Sequence, residues 1–176
     1  HGNEHWTLVG ILEQSSNVGM VIAGDKMTNE QRYNFISKFG IGQATGLNLP
    51  GESEGVLHPS DSWDRRTRNT VLFGQGYTVN VMQLTNAVSV IANKGVKKPQ
   101  RIIKSITDTA GHVEEQQSKG EATRVIDESV ASQMLNAMES SAEHYNTFVK
   151  VDGYRMAAKS GTAEVAGANG QLTSII

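Results

Sequence analysis

Between Asn80 and Gly95 the sequence spells out a capped, one-faced helix, and this segment constrains the fold more than any other. Asn80 is a good N-cap, because its short amide oxygen can accept from the open N–H groups of a first turn. Leu84, Ala87, Val88, Ile91 and Ala92 then recur at i, i+3, i+4, i+7 and i+8, and Gly95 marks the end. A stripe of that width must be covered, so the chain has to supply other elements for it to pack on. Two further segments follow the same grammar. Thr28-Asn29-Glu30-Gln31 reads as a capping box for a helix with Phe35, Ile36 and Phe39 on its apolar face, closed by a left-handed Gly40. Asp127 opens a helix with Val130, Ala131, Met134, Leu135 and Met138 inward. Near the start, Thr7 caps a helix carrying Leu8, Ile11 and Leu12, and a second apolar segment, Val18 to Ala23, follows; both are expected to be buried.

The rest of the chain is turns and short strands. Residues 41 to 59 read as loop, punctuated by Gly42, Gly46, Pro50, Gly51, Gly55 and Pro59. Arg101 to Thr107 is expected to pair with Val113 to Gln116 as a hairpin across Asp108-Thr109-Ala110-Gly111. Arg65, Arg66 and Arg68 are interleaved with Asp61 and Asp64, which predicts a solvated, salt-bridged face and not a phosphate site. Leu72 to Tyr77 is a glycine-flanked bend without the spacing or lysine of a P-loop. Val151-Asp152-Gly153 turns the chain into a strand expected over about Tyr154 to Ala163. The closing Leu172-Thr173-Ser174-Ile175-Ile176 reads as the opening of a strand with no partner to follow.

Several chemistries drop out on composition. The 176 residues suit one domain. A net charge of −2 gives no electrostatic case for nucleic acid or an anionic membrane surface. With no cysteine there are no disulfides, cysteine nucleophiles or thiolate metal sites. No apolar run approaches the ~20 residues that span a bilayer, and no signal peptide is legible. His1, His5, His58, His112 and His144 lack metal-ligand spacing, so no metal and no cofactor is expected. A Gly-x-Ser-x-Gly nucleophile elbow is absent too.

Two polar clusters remain. Lys159-Ser160-Gly161-Thr162 packs a cation, two hydroxyls and a glycine into four positions. On an extended segment Lys159 and Gly161 would share one face and Ser160 and Thr162 the other. Gly161 would remove a side chain where a backbone or ligand comes close. Such an edge can offer positive charge, hydroxyls and an N–H to an anionic or carbonyl-bearing substrate; an ordinary turn with a solvated lysine is the plainer alternative. Ser15-Ser16-Asn17 sits at the junction of the first two helices, where polar side chains either point into a cleft or serve as an N-cap.

In this order, and with these spacings, the chain resembles the penicillin-binding transpeptidases. Ser15-Ser16-Asn17 and Lys159-Ser160-Gly161-Thr162 match the second and third active-site motifs of that family. Thr45-Gly46-Leu47-Asn48-Leu49-Pro50-Gly51-Glu52 is similar to another family segment. So are Gly76-Tyr77 with Val81-Met82-Gln83-Leu84 and Ile91-Ala92-Asn93-Lys94-Gly95, and so is Gly153-Tyr154-Arg155 leading to Lys159. The resemblance covers nearly the whole chain and is greatest to the class B, cell-division type. Ser160 and Ala158 depart from it, standing where the family more often has threonine and glycine. The first family motif, Ser-x-x-Lys, which carries the nucleophile, does not occur in these residues.

The resemblance implies an α+β fold: a partial penicillin-binding transpeptidase (serine β-lactamase-like) fold, helix-rich with antiparallel strands. Residues 1–176 would form a partial domain, with the first-motif segment and the C-terminal strands missing. Both ends read as cut, so the chain is expected to be a piece of a larger protein. The activity implied is that of a serine D,D-transpeptidase, which cross-links peptidoglycan stem peptides ending in D-Ala-D-Ala and is acylated by β-lactams. Ser15 would relay a proton, Asn17 would bind the substrate amide, and Lys159 would supply positive potential. Ser160 and Thr162 would bind the substrate carboxylate beside Gly161, and the Thr162 N–H would serve an oxyanion hole. Ser16 packs or caps on this reading. Cell-division proteins are the implied partners, and a bacterial membrane with a single-pass anchor outside this piece is the implied location. The fragment alone would be inactive, and its unpaired strand edge would invite self-association. A serine β-lactamase or β-lactam sensor, and a non-enzymatic element of the division machinery, are the alternatives.

Overall fold

A computed structural model describes residues 5–115, 120–144, 151–166 and 172–175. The expected positions His1, Gln116 and Ile176 lie outside the described residues. The fold is α+β, helix-rich with short antiparallel strands, and the chain divides into two units. One comprises His1–Arg32, His58–Tyr77 and Gln133–Ile176; the other comprises Tyr33–Leu57 and Thr78–Ser132.

The first unit begins with two short helices, α1 (Leu8–Glu13) and α2 (Asn17–Gly24). Thr7 caps α1 as expected, its hydroxyl accepting from the Gly10 N–H at 3.2 Å. A helix this short has little intrinsic stability, so its ends and its packing decide whether it forms. The end of α1 is closed by two bonds, Ser16 N–H to the Ile11 carbonyl and Ser15 N–H to the Leu12 carbonyl. That is the Schellman arrangement, with Ser15 in the left-handed position at φ +49° where glycine is usual. Ser16 then caps α2 by accepting from the Gly19 N–H at 3.1 Å. Gly19 lies so close to Ile11 that an added Cβ would collide with the isoleucine side chain. The expected burial of these helices is not seen. Leu8, Val18 and Ile22 are 72, 70 and 70% exposed, because a helix pair of six and eight residues buries only the strip where the two meet.

Arg32, in α3 (Asn29–Lys38), anchors the rest of this unit. The Thr28–Gln31 capping box that opens α3 is present in both directions. Buried Arg32 donates to the Gly24 carbonyl at 2.9 Å, and to the Arg68 carbonyl at 2.5 Å. The first bond sets a cation on the negative end of α2; the second reaches α4 (Thr67–Thr70). Arg65, Arg66 and Arg68 are exposed, as the solvated face requires. Asp64 accepts from the Thr67 N–H at 2.6 Å, which holds its carboxyl below the ordinary range.

In the second unit α5 (Val81–Ala92) carries the capping box of Asn80 with Gln83. Its apolar stripe does not face inward as expected. Leu84 and Val88 are 55 and 47% exposed, whereas Gln83 and Val90 are buried. The polar Gln83 wins the interior because both of its N–H donors and its oxygen find partners there. Its amide donates to the Gln43 and Glu54 carbonyls, each at 2.7 Å, and accepts from the Asn80 N–H at 2.9 Å. Asn80 also donates to the Ser53 carbonyl at 2.7 Å. Together these bonds fasten the loop of residues 43–56 to the start of α5. Within that loop the Thr45 N–H donates to Glu52 at 2.9 Å, so the segment from Thr45 to Glu52 closes on itself.

The same unit has two small antiparallel pairs. β1 (Val96–Lys97) pairs with β4 (Thr123–Arg124), and β2 (Ser105–Thr107) with β3 (Val113–Glu115). The second pair is the expected hairpin, shorter by several residues at its open end, with Asp108 accepting from the Ala110 and His112 N–H groups across the turn. α6 (Glu128–His144) buries Ala131, Met138, Ser141 and Ala142. Val130, Met134 and Leu135 stay 46, 39 and 40% exposed, so the inward line runs through mostly small residues and not along the bulkiest stripe.

The strand expected over Tyr154 to Ala163 begins only at its last residue. β5 is Ala163–Ala166, and it pairs with β6 (Leu172–Ile175) in the register Ala163↔Ile175 to Ala166↔Leu172. The terminal segment, read as a strand with no partner to follow, is paired with the preceding strand. Upstream, residues 154–162 have no strand pairing; one of their donors, the Ala158 N–H, goes instead to the Met138 carbonyl of α6 at 3.1 Å.

Candidate active site

Both polar clusters belong to the first unit, and the structure brings them into contact. The Lys159 ammonium donates a hydrogen bond to the Ser15 hydroxyl, closing a loop of 144 positions. Lys159 also donates to the Ser160 carbonyl at 2.8 Å and to the Ser160 hydroxyl at 3.3 Å. The expected alternation of faces thus fails at Ser160, whose hydroxyl gathers on the side of the ammonium, because this segment is not a regular strand.

The three residues of the first cluster are sorted by the ends of two helices. Ser16 is partly buried and used up as the cap of α2. Ser15 and Asn17 on either side of it are exposed. They stand in the wall of a groove of about 750 Å³ whose apolar lining includes Trp6, Leu8, Ile11 and Ile22. A serine hydroxyl offers one donor and two acceptor positions. With an ammonium filling an acceptor position, the Ser15 proton is directed elsewhere.

Lys159, Ser160, Gly161 and Thr162 are exposed. Gly161 was expected where something must come close. Among the described residues nothing lies within 4 Å of a Cβ placed on it, so no backbone contact demands a glycine there.

What sequence reasoning missed is the support behind both clusters. Arg155 grips Glu139 of α6 through two hydrogen bonds, one of them at 2.5 Å. That pair holds the Glu139 carboxyl below its ordinary value and raises the Arg155 guanidinium. A depressed carboxylate stabilises above its unfolded value, so this pair persists at neutral pH and loosens only as acid approaches the folded value. Ser140, the next residue of α6, donates to the Glu13 carboxylate at the end of α1. A glutamate in a last helical turn opposes the helix dipole, and that was the one legible hint that it has a partner.

The left-handed Ser15 makes a testable trade-off. An L-residue in this conformation costs about 1–2 kcal/mol, and glycine avoids that cost while gaining about 0.5–1 kcal/mol of freedom in the unfolded chain. Ser15→Gly should therefore raise the unfolding free energy by about 0.5–1 kcal/mol in urea titrations, whereas Ser15→Ala should not. Both variants lose the hydroxyl that meets Lys159.

Comparison with known proteins finds a matching family and similar solved structures. A model of the penicillin-binding protein transpeptidase domain matches residues 1–175. The chain is 34% identical over 172 residues to the penicillin-binding protein PbpB of Mycolicibacterium smegmatis, covering 93% of this chain and 26% of that protein. It is 34% identical over 167 residues to the peptidoglycan D,D-transpeptidase FtsI of Escherichia coli, covering 94% and 26%. Among solved structures it is similar to a peptidoglycan synthetase from Bifidobacterium adolescentis, at 99% identity and a TM-score of 0.90, over 97% of this chain and 31% of the other. It is also similar to penicillin-binding protein 3 of Mycobacterium tuberculosis in complex with aztreonam, at 31% identity and a TM-score of 0.85, over 98% and 41%. The chain spans about a quarter of the length of the two sequence relatives. The chain belongs to the penicillin-binding protein transpeptidase family.

Proposed function

We propose that residues 1–176 are the part of a class B serine D,D-transpeptidase that holds the second and third active-site motifs. The whole protein cross-links peptidoglycan stem peptides and is acylated by β-lactams. The observation that carries the reading is the Lys159–Ser15 hydrogen bond, which joins the two motifs into one site. The nucleophile comes from a Ser-x-x-Lys motif outside these residues. In the reaction that serine attacks the carbonyl between two D-alanines. Ser15, held by Lys159 as an acceptor, relays the proton to the departing nitrogen. Asn17, two positions on, binds the substrate amide. The ammonium of Lys159 supplies positive potential, and the Ser160 and Thr162 hydroxyls receive the terminal carboxylate beside Gly161. The Thr162 N–H stabilises the oxyanion. Cell-division proteins are the partners, and the site works on the outer side of a membrane to which the whole protein is anchored by a segment outside these residues.

The test is labelling of the full-length protein by a fluorescent penicillin, followed by peptide mapping. Covalent label on a serine of a Ser-x-x-Lys motif is the expected result, and none on the isolated 176-residue chain. Label on a serine of this chain, or no label on the full-length protein, would overturn the reading.

A further inference from the structure

Three consecutive residues of α6 reach three points that bear on the site. The Met138 carbonyl accepts from the Ala158 N–H, directly before Lys159. The Glu139 carboxylate holds Arg155, four positions before Lys159. The Ser140 hydroxyl donates to Glu13, two positions before Ser15. With the Lys159–Ser15 bond these contacts form a closed ring, running from α6 through Glu13 to Ser15, across to Lys159, and back through Ala158. Each link adds a restraint on the separation of Lys159 and Ser15.

The link through Ser140 is the one that acts on the Ser15 side. Met138 and Glu139 hold the Lys159 segment by separate bonds, and Ser140 reaches the Ser15 side through Glu13. The Ser140–Glu13 contact is partly buried and spans 127 positions, so solvent screens it less than an exposed pair. It also answers an electrostatic problem. Glu13 ends α1, where its charge faces the negative pole of the helix, and the Ser140 proton is a donor that offsets this. The side chain of Ser15 has no such anchor in its own turn, since the Schellman bonds of α1 engage backbone N–H groups.

We infer that Ser140, acting through Glu13, is a positioning residue that sets Ser15 within reach of Lys159. The inference rests on the transpeptidase reading above. Its consequence is specific. Loss of the Ser140 hydroxyl should slow the chemical step far more than it weakens substrate capture, because the carboxylate-binding groups lie on the other segment and, of the proposed binding groups, Asn17 alone shares the Ser15 side. Near-attack geometry is sensitive enough that a displacement of about 1 Å can cost on the order of a hundredfold.

The experiment uses the full-length protein and separates the affinity for a β-lactam from the acylation rate constant by stopped-flow labelling. Ser140→Ala is expected to lower the rate constant about tenfold with affinity unchanged within about twofold, and Ser140→Thr, which keeps the hydroxyl, to recover most of the rate. Glu13→Ala is expected to lower the rate constant at least as much as Ser140→Ala, and the double variant to equal Glu13→Ala, since without its acceptor the Ser140 hydroxyl has nothing further to contribute. Should Ser140→Ala fold poorly, Glu13→Ala alone carries the test. An unchanged rate constant in the folded variant, or a loss confined to the fraction of protein that labels, overturns the inference while wild-type labelling keeps the transpeptidase reading intact. A wild-type protein that does not label overturns both.

Discussion

Lys159→Ala in the full-length protein should lower the rate of acylation by a β-lactam on the order of 10²–10³-fold, the scale for removing one preorganised electrostatic group from a reacting centre. The variant takes away the ammonium and, with it, the donor that fixes the Ser15 hydroxyl. It also releases the Ser160 hydroxyl, which Lys159 gathers at 3.3 Å. Both affinity and rate constant should suffer, since the proposed role touches the substrate carboxylate as well as the proton relay. This is what separates it from Ser140→Ala, where the rate constant is expected to fall far more than the affinity. Lys159→Arg should restore little. A guanidinium keeps the charge, but its planar fork cannot place one donor on Ser15 and another on the Ser160 carbonyl as a compact ammonium does. Stopped-flow labelling across a concentration series measures both quantities. An acylation rate constant within threefold of wild type for Lys159→Ala would remove Lys159 from the mechanism.

The parts of this fold that the sequence declared are those governed by local chemistry. Thr7, Thr28 and Asn80 cap where they were expected to, because a cap is decided by one side chain and an N–H three residues away. The hairpin at Asp108 formed for the same reason. Its turn is closed by the aspartate that begins it. Burial was less legible. The stripe Leu84–Val88 is a sound amphipathic pattern, yet the interior went to Gln83, whose partners Gln43 and Glu54 lie 40 and 29 positions away. No periodicity contains that information. Strand extent failed in a similar way. Pairing belongs to two segments at once, so Tyr154 to Thr162 could not be judged without knowing that α6 takes one of their donors and that β6 reaches back only to Ala163.

The site divides along the same line. Ser15, Asn17 and Lys159 were found as residue types in a family order, and the structure joins Ser15 to Lys159. The supporting layer was invisible in sequence, because Glu13, Glu139, Ser140 and Arg155 are unremarkable polar residues until α6 brings them to their partners. Helix ends carry a second lesson. Both α1 and α5 turn out of the helix through a left-handed residue other than glycine, Ser15 and Lys94, at φ +49° and +56°. Gly95, expected to mark the end of α5, follows Lys94 at φ +83°. At Ser15 the strained position carries the site hydroxyl, which gives a physical reason for tolerating the cost.

Gly95→Ala is the substitution expected to damage stability most. Gly95 has φ +83°, which an alanine adopts at a cost of about 1–2 kcal/mol. A Cβ there would also run into the carbonyl of Ile126, a backbone atom that cannot swing aside like a side chain. Overpacking of that kind adds about 1–3 kcal/mol, so the total is about 2–5 kcal/mol. The neighbourhood has no slack to absorb it. The Gly95 N–H closes α5 on the Val90 carbonyl at 2.8 Å, and its own carbonyl accepts from Val125 at 2.9 Å and from Ile126 at 3.3 Å. Moving the chain to relieve the collision breaks the bonds that join the end of α5 to β4 and the approach to α6. Gly111→Ala is the matched control. It has a similar φ of +88°, but nothing lies within 4 Å of its Cβ, so it should cost only the conformational part. Hydrogen exchange in the full-length protein reads the difference directly. The amides of Val125 and Ile126 should lose protection by about thirtyfold or more in Gly95→Ala, since each 1.4 kcal/mol is a factor of ten, and by clearly less in Gly111→Ala. Equal effects from the two variants would show that backbone conformation alone, and not the contact with Ile126, sets the requirement for glycine at this helix end.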